Sequence, residues 1–298
     1  MICVPNLNLL TPPVTNLFGI IFCVVSIVTV TANLIVLIIL KACLEKNKSN
    51  KILTSLVVAD ILTGVFVAPL FSWQLQDEKA RYDCEIDIIR SNLTFVLIGC
   101  SYCTLALTAY DRYMLLTKLS NYSLYMPKRK VIFLITLSWS FPTALPLLRY
   151  AGKFQCLLMT SAVYIGLFLS LIVGYVQILR ILREKERHLN TYKCNPVFVI
   201  SSRAQSRSKR INKHVIKLAR SITILIGCHF VCGITVVTWA IIYVINTVTP
   251  FMTAYNMQIL YVTAMLMLTI NSSLNPFIYF VKIPEFRKSL YRILGLQG

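Results

Sequence analysis

Seven long apolar runs divide the sequence, and each could cross a bilayer as a helix. They cover approximately residues 17–40, 52–76, 88–115, 131–148, 157–182, 215–245 and 259–281. A spanning helix needs about 20 predominantly apolar residues. Residues 221–281 contain no Asp, Glu, Lys or Arg, and the polar segment "NTVTPFMTAYNMQ" at 246–258 divides this stretch into two spans. The pattern predicts an all-α membrane protein that is a bundle of seven transmembrane helices.

The composition agrees with a membrane protein and the basic residues give its orientation. The 298 residues are 57% hydrophobic and 14% charged, with a mean hydropathy of +0.70. The chain has 30 Lys and Arg residues, and most flank one end of the spans. By the positive-inside rule, the N-terminus is therefore outside and the C-terminus cytosolic. The basic residues on the other side are Lys79, Arg81, Arg90, Arg149 and Lys153.

The net charge of +19 follows mainly from this asymmetry. It also favours contact with anionic lipid of the inner leaflet. Nucleic-acid binding is not expected, because the basic residues flank spans and do not form a separate domain.

Three regions follow from this topology. Residues 1–16 are predicted to be an extracellular N-terminus, 17–281 the membrane domain, and 282–298 an amphipathic eighth helix with a short cytoplasmic tail. In "KIPEFRKSLYRILG", Pro284 suits a first helical turn. Phe286, Leu290, Ile293 and Leu294 then share one face, which predicts a helix on the inner membrane surface. No internal repeat is apparent, which counts against transporters built from repeated halves.

Polar residues inside the predicted spans are functional candidates, because they are costly in lipid. Asp60 in "LVVAD" is the acidic one at mid-depth. A carboxylate among hydroxyl and amide groups could hold a small cation such as sodium. Hydrogen bonding between helices is the alternative, and the residues alone leave both open. The other polar residues at this depth are Asn33, Ser101, Asn271, Ser272 and Asn275.

A charge pair stands where the third apolar run ends. In "LTAYDRYMLL", Asp111, Arg112 and Tyr113 follow residues 91–110, which carry no charge. In the seventh span, "NPFIY" at 275–279 places Pro276 within a helix, where proline breaks the hydrogen-bond ladder. A bent seventh helix and a charge pair at the base of the third suggest a helix bundle that can pack in two different arrangements.

Taken together, these motifs resemble the rhodopsin-like (class A) G-protein-coupled receptors over nearly the whole chain. The segments "KLARSITILIG" and "NPFIYFVKIPEFRKSLYRIL" look most like the adenosine-receptor neighbourhood. The matching residues fall in the family's order: Asn33, Asp60 with Pro69, Asp111-Arg112-Tyr113, Trp139, Tyr175, and Asn275-Pro276 with Tyr279.

The resemblance implies a multi-pass plasma-membrane receptor that is not an enzyme and activates a heterotrimeric G protein. Its ligand, a small molecule or a peptide, is unidentified. Arg112 would be held by Asp111 at rest and then released to contact the G protein, with Tyr175 and Tyr279 moving in to support it. Asp60, Ser101, Asn271 and Asn275 match the family's sodium pocket, which makes sodium an expected allosteric ion.

The sixth span departs from the family. In "CHFVCGIT", Gly233 stands in place of a tryptophan, Thr235 in place of a proline and His229 in place of a phenylalanine. Thr94 replaces the aspartate that pairs with amines, and Thr269 replaces the lysine that binds retinal. The predicted ligand pocket comprises Thr94, Leu97, Ile98, Leu158, Gly233, Val236, Ala240, Leu268 and Thr269.

The outer side carries two further features. Cys3, Cys84 and Cys156 face an oxidising compartment, and a Cys84–Cys156 disulfide is predicted, although the family's usual cysteine would fall at Asp87. The loop before the third span is acidic and could attract a basic peptide, unless it is simply a solvated loop. Its acids are Asp77, Glu78, Asp83, Glu85 and Asp87.

Two other functions compete with signalling. A transporter or channel would need a polar path, for which only Asp60 is charged at depth. A receptor-like chain that binds or dimerises without signalling agrees with the altered sixth span. At the base of that span Val215 stands where some members carry a glutamate, so Asp111 is the evident counter-charge for Arg112. We therefore expect measurable basal signalling.

Overall fold

The structure is a computed structural model that describes residues 7–43, 48–118, 121–144, 146–147, 153–194, 202–293 and 295. A 3-10 turn at Leu7–Leu9 precedes the first helix, and a π-helical turn at Thr63–Val67 joins α2 to α3. The helices are α1 (Pro12–Cys43), α2 (Lys48–Leu62), α3 (Ala68–Gln76), α4 (Glu78–Tyr82), α5 (Cys84–Thr117), α6 (Tyr122–Tyr125), α7 (Lys128–Ala144), α8 (Lys153–Cys194), α9 (Ser202–Val248), α10 (Ala254–Lys282) and α11 (Pro284–Ile293). In α8 and α9 the side chains are described at 165–184, 187, 216 and 223–248.

Six helical stretches in the described ranges are long and apolar enough to cross a membrane. They are α1, the continuous run from α2 to α3, α5, Ile165–Glu184 of α8, Thr223–Val248 of α9, and α10. The 17-residue α7 occupies the place of the predicted fourth span. The described residues contain no strand. The predicted fold class, an all-α transmembrane bundle, is confirmed.

The core lies between the helices, with α5 at its centre. This helix packs against α2, α7, α8 and α9. Leu56, Leu105 and Val262 are among the fully buried side chains of the main hydrophobic cluster. The indole Nε1 of Trp139 donates to Ser55 Oγ at 2.7 Å and so joins α7 to α2. By contrast, many side chains of α1 are exposed apolar groups, as expected for a helix that faces lipid.

Pro69 and Pro276 lie in spans, and each leaves a backbone carbonyl without its usual hydrogen-bond donor. Ala68 N bonds to Thr63 O in the π register, so Pro69, which lacks an N–H, leaves Gly64 O free. Ser26 Oγ donates to that carbonyl at 2.7 Å. In α10, Pro276 leaves the carbonyl four residues earlier, that of Ser272, and Asn33 Nδ2 donates to it at 3.1 Å.

Most of the outer acidic residues have local structural roles. Asp77 caps α4, and Asp83 caps α5 by accepting from the backbone N–H of Glu85 at 2.8 Å. Asp87 is not a loop residue but is buried in the first turns of α5. The interpretation of these five residues as an acidic loop is therefore wrong for Asp87, and Asp77 and Asp83 are helix caps.

The cytosolic end of α10 is packed against α11. The ring of Phe286, which is buried, stacks on that of Tyr279 with centroids 5.6 Å apart. Leu290 packs partly buried on the same cluster, while Arg287 and Lys288 are exposed. The apolar face of α11 thus packs the ring of Phe286 against the cytosolic end of the seventh span.

Candidate functional site

The Asp111–Arg112 pair lies buried near the cytosolic end of α5. Arg112 is 3% exposed, and its Nε is 3.7 Å from Asp111 Oδ2, which is too long for a hydrogen bond. Within the described part of the chain, Arg112 Nε and Nη1 and Asp111 Oδ2 have no hydrogen-bond partner. A buried guanidinium with unused donors is costly. The ion pair with Asp111 thus leaves hydrogen-bond donors of the Arg112 guanidinium unused.

A residue that the sequence reasoning missed, Tyr122, holds the other oxygen of Asp111. Tyr122 lies on the short helix α6, and its hydroxyl donates to Asp111 Oδ1 at 2.5 Å. The same hydroxyl is 3.3 Å from Ser49 Oγ of α2. Burial, with the nearby Asp111 carboxylate, raises the pKa of Tyr122 to about 12. Tyr122 is therefore protonated at physiological pH and remains a donor. No sequence motif marks this tyrosine.

The predicted switch tyrosines make no hydrogen bond to this pair in the described structure. The hydroxyl of Tyr279 is buried and has no hydrogen-bond partner among described residues. Tyr175 of α8 faces Gly227 of α9, where an added Cβ would lie 3.9 Å from the tyrosine hydroxyl. Tyr113 packs half-buried against the main hydrophobic cluster and against a smaller one that contains Met114 and Met126. Asn275 lies away from them at mid-depth, where its Nδ2 donates to Asp60 Oδ2. Arg112 itself is turned toward Asp111.

Asp60 forms the centre of a buried polar cluster at mid-depth. Its side chain is fully buried; Oδ2 accepts from Asn275 Nδ2 at 2.6 Å and Oδ1 from Ser101 Oγ at 3.4 Å. Ser272 is also buried, and its carbonyl binds Asn33. Three side-chain oxygens of this part of the bundle lack a described partner: Asn33 Oδ1, Asn271 Oδ1 and Asn275 Oδ1. A carboxylate beside unused amide oxygens is a donor set that fits a hard cation.

A second buried arginine, which the sequence reasoning also missed, lies at the outer end of α5. The Arg90 guanidinium is 2% exposed and connects three helices. Its Nη2 donates to Asp87 Oδ1, its Nε to Gln74 Oε1 of α3, and its Nη1 to Tyr261 OH of α10 at 2.9 Å. The same group lies 4.2 Å from the centroid of Phe71. All three guanidinium nitrogens are bonded, so this charge is well matched.

Two sequence signals for Arg90 were available. It falls inside the predicted third span, 88–115, where an arginine is a candidate by the same reasoning that selected Asp60. It also follows Asp87 at a spacing of three, which places opposite charges together on a helix. Arg90 does lie on the outer side, as predicted, but its side chain points into the bundle and not to solvent.

The predicted ligand residues whose side chains the structure describes lie within the core. Leu97, Ile98 and Leu268 belong to one buried cluster, against which Val236 and Ala240 pack. Thr94 Oγ1 donates to Arg90 O at 2.7 Å and Thr269 Oγ1 to Leu266 O at 2.8 Å. Gly233 is also buried. Leu158 lies outside the described side chains.

The cysteines agree in part with the predicted disulfide. Cys84 is disulfide-bonded. The side chain of Cys156, its predicted partner, lies outside the described set, so the pairing itself stays a prediction. Six other described cysteines are free: Cys23, Cys43, Cys100, Cys103, Cys228 and Cys232.

An open groove between α1 and α3 shares no residue with the predicted ligand pocket. Its lining includes the exposed side chains of Cys23 and Trp73, so it faces the lipid side of the bundle. The groove therefore adds nothing to the ligand site inside the bundle.

Comparisons with known proteins find similar sequences among transmembrane receptors. The sequence profile of the 7 transmembrane receptor (rhodopsin family) matches residues 32–279. The human 5-hydroxytryptamine receptor 4 is 24% identical over 286 residues, which cover 84% of this chain and 72% of that receptor.

Two further relatives match shorter segments. Neuropeptide receptor 22 of Caenorhabditis elegans is 26% identical over 152 residues, or 49% of this chain and 35% of the relative. The human muscarinic acetylcholine receptor M1 is 33% identical over 141 residues, or 45% of this chain and 30% of the relative. The likeness of two segments to adenosine receptors is not tested by these relatives.

The Arg90 cluster gives a test of stability. Replacing Asp87 by Leu leaves a buried guanidinium without its anion, which typically costs about 3–5 kcal/mol. We expect a clearly lower melting temperature for the purified protein in detergent. The double variant Asp87→Leu/Arg90→Met removes both charges and should recover most of the loss, because apolar groups of similar size replace buried pairs well.

Glu78→Gln is the matched control, since Glu78 is an exposed acid on the same side of the membrane. Its melting temperature should equal that of the wild type. A double variant no more stable than Asp87→Leu alone would contradict the assignment of a matched buried pair.

Proposed function

Because the chain belongs to the rhodopsin family of seven-transmembrane receptors, we propose that it binds an extracellular ligand and activates a heterotrimeric G protein. The observation that carries the proposal is Arg112, a buried guanidinium with two unused donor nitrogens beside the cytosolic face. Carbonyl or carboxylate oxygens of a partner at this face would satisfy those donors. A partner therefore binds most tightly to the helix packing in which Arg112 has moved away from Asp111.

Activation is then a shift between two packings that exist before ligand binds. In the resting packing, Asp111 is shared between a 3.7 Å ion pair to Arg112 and the Tyr122 hydroxyl. In the active packing, Arg112 turns to the G protein, and Tyr175 and Tyr279 close around it. The two tyrosines have no hydrogen bond to Arg112 in the described structure, so they are available for the second arrangement.

The ligand differs in chemistry from the amines that name some relatives. In this chain Thr94 stands in place of the amine-pairing aspartate, and its hydroxyl is bonded to the Arg90 carbonyl. Asp87, the nearest buried acid toward the outer end of α5, is bonded to Arg90. A protonated amine would therefore find no free carboxylate there. We propose an unidentified small molecule or peptide that does not depend on such a pair.

One observation favours a second candidate, a receptor-like chain that binds ligand or dimerises without signalling. The sixth span lacks both the tryptophan and the proline expected from the resemblance, and α9 runs as one helix from Ser202 to Val248. The arrangement around Arg112 favours the signalling receptor, and basal activity distinguishes the two.

We further propose that the Asp60 cluster binds a sodium ion that favours the resting packing. Asp60, Ser101, Asn271 and Asn275 would supply the oxygens, while Ser272 lies beside them in α10. The ion would neutralise a carboxylate that has only neutral donors in the described structure. It would also use the amide oxygens that have no described partner.

Arg112 gives the first test of the function. In cells that express a panel of chimeric G proteins, the wild type should signal above empty cells without added ligand, because its resting pair is weak. Arg112→Ala should reduce this signal to background at equal surface expression. Arg129→Ala, which changes an exposed arginine on the same face, should leave it unchanged. Wild-type activity equal to that of empty cells at verified expression would refute the proposal and favour the non-signalling alternative.

Tyr122 tests how the resting packing is held. Tyr122→Phe removes the donor to Asp111 Oδ1, a charge-assisted hydrogen bond worth about 1.5–3 kcal/mol. The resting state is thereby weakened, and basal signalling should rise several-fold. The control is Tyr125→Phe, a more exposed tyrosine of the same short helix. Basal signalling that stays constant or falls in Tyr122→Phe would show that Tyr122 does not restrain Arg112.

Sodium binding is tested by the thermal stability of the purified receptor. A bound ion stabilises the folded state by RT ln(1 + [Na⁺]/Kd), or about 2.7 kcal/mol at 100 times Kd. The melting temperature should be higher in sodium chloride than in N-methyl-D-glucamine chloride at equal ionic strength. Asp60→Asn should abolish this difference and Asp83→Asn, at an exposed helix cap, should retain it. Equal melting temperatures of the wild type in the two salts would exclude the ion.

A further inference from the structure

The space left by the missing tryptophan of α9 is filled from two other helices. Gly233 has no side chain, and a Cβ added there would overlap the hydroxyl oxygen of Tyr102. The same Cβ would lie 3.0–3.3 Å from ring carbons of Phe168. Tyr102 belongs to α5 and Phe168 to α8. A glycine is therefore required at position 233 by the close approach of a tyrosine to the α9 backbone.

The residues around Gly233 form an aromatic contact among α5, α8 and α9. Tyr102 is buried, and its ring meets that of His229 edge to face with centroids 6.0 Å apart. Phe168 stacks on Phe230, with centroids 4.9 Å apart and planes inclined by 11°. His229 and Phe230 lie one turn of α9 from Gly233. The position of this helix in the bundle is thus fixed by rings that come from its neighbours.

This packing differs from that of a helix carrying its own large side chain. A tryptophan on α9 would move with α9, whereas Tyr102 is anchored in α5, the helix that also carries Arg112. Side chains in a close-packed core change between discrete arrangements rather than deform continuously. When α9 moves relative to α5, the contact between the Tyr102 hydroxyl and Gly233 is broken or replaced by a different packing.

We propose that Tyr102 takes the place of the missing tryptophan: by occupying the gap at Gly233 it positions α9 in the resting packing. The proposal rests on the proposed signalling function and adds the residue that couples the ligand half of the bundle to its cytosolic half. Tyr102 is a positioning residue, because it acts through α9 and not on the G protein. His229 supports its ring, and Phe168 closes the gap from the side of α8.

The test is a double-mutant cycle of Gly233→Ala and Tyr102→Phe. Gly233→Ala places a methyl group where the Tyr102 hydroxyl lies, so α9 should be displaced and basal signalling should rise several-fold at equal surface expression. Tyr102→Phe removes the overlapping oxygen and should suppress the effect of Gly233→Ala. Gly166→Ala in α8 is the control, because a Cβ added there meets no described atom within 4 Å.

A measurement on the purified receptor separates this proposal from the signalling function. Nitroxide-bearing unnatural amino acids, one at position 117 of α5 and one within residues 212–222 of α9, report the distance between the cytosolic ends without a G protein. Gly233→Ala should lengthen the distance distribution relative to the wild type, and the double variant should restore it. Gly166→Ala should leave the distribution unchanged.

The outcomes are distinguishable. A shifted distance without any signal in the G-protein panel would support the positioning role and refute the signalling function. A signal from the wild type with no distance or activity change in Gly233→Ala, or with additive effects of the two substitutions, would refute the positioning role alone. If Gly233→Ala does not reach the surface, Tyr102→Leu replaces it: removing the ring without a clash should also shift the distance, and an unchanged distance would overturn the proposal.

Discussion

Every backbone carbonyl inside a membrane needs a hydrogen-bond donor. Proline residues leave two carbonyls of this bundle without their usual donor, and side chains of α1 donate to both. Ser26 donates to Gly64 O beside Pro69, and Asn33 donates to Ser272 O below Pro276. Without these donors each carbonyl would be an unsatisfied polar group in lipid, which costs several kcal/mol. The exposed apolar helix α1 is thus what permits irregular backbone in the second and seventh spans, and the second bond lies beside Asn275, the donor to Asp60.

The buried charges differ in how completely they are matched, and the difference follows depth. At the outer end, the three guanidinium nitrogens of Arg90 are all bonded, which ties α3, α5 and α10 together. At mid-depth, Asp60 has neutral donors and stands among amide oxygens without a described partner. At the cytosolic end, Arg112 has one long ion pair and unused donors. A well-matched group has little to gain from rearrangement, so the free energy available for movement lies at the inner end.

The sequence could predict what depends on the order of apolar and charged residues. Spans, orientation, the charge pair after the third span and the amphipathic last helix all follow from local pattern, and the resemblance assigned roles to Asp60, Arg112 and Asn275. Contacts between distant residues could not be predicted in that way. Tyr122 meets Asp111, and Tyr102 meets Gly233, only because particular helices pack at a particular depth. Arg90 is an intermediate case. Its position inside a predicted span indicated a buried charge, but its three hydrogen-bond partners could not be predicted from the sequence.

The altered sixth span therefore has to be considered together with its neighbours. Taken alone, the loss of a tryptophan and a proline from α9 suggests a helix that has lost its mobile element. Deleting a large ring from a packed core leaves a cavity and costs several kcal/mol when nothing fills the space. Here the Tyr102 hydroxyl and the Phe168 ring fill it, so the glycine and the two rings form one complementary arrangement. Because one of the two rings that fill the gap comes from α5, the glycine of α9 lies in direct contact with the helix that carries Arg112.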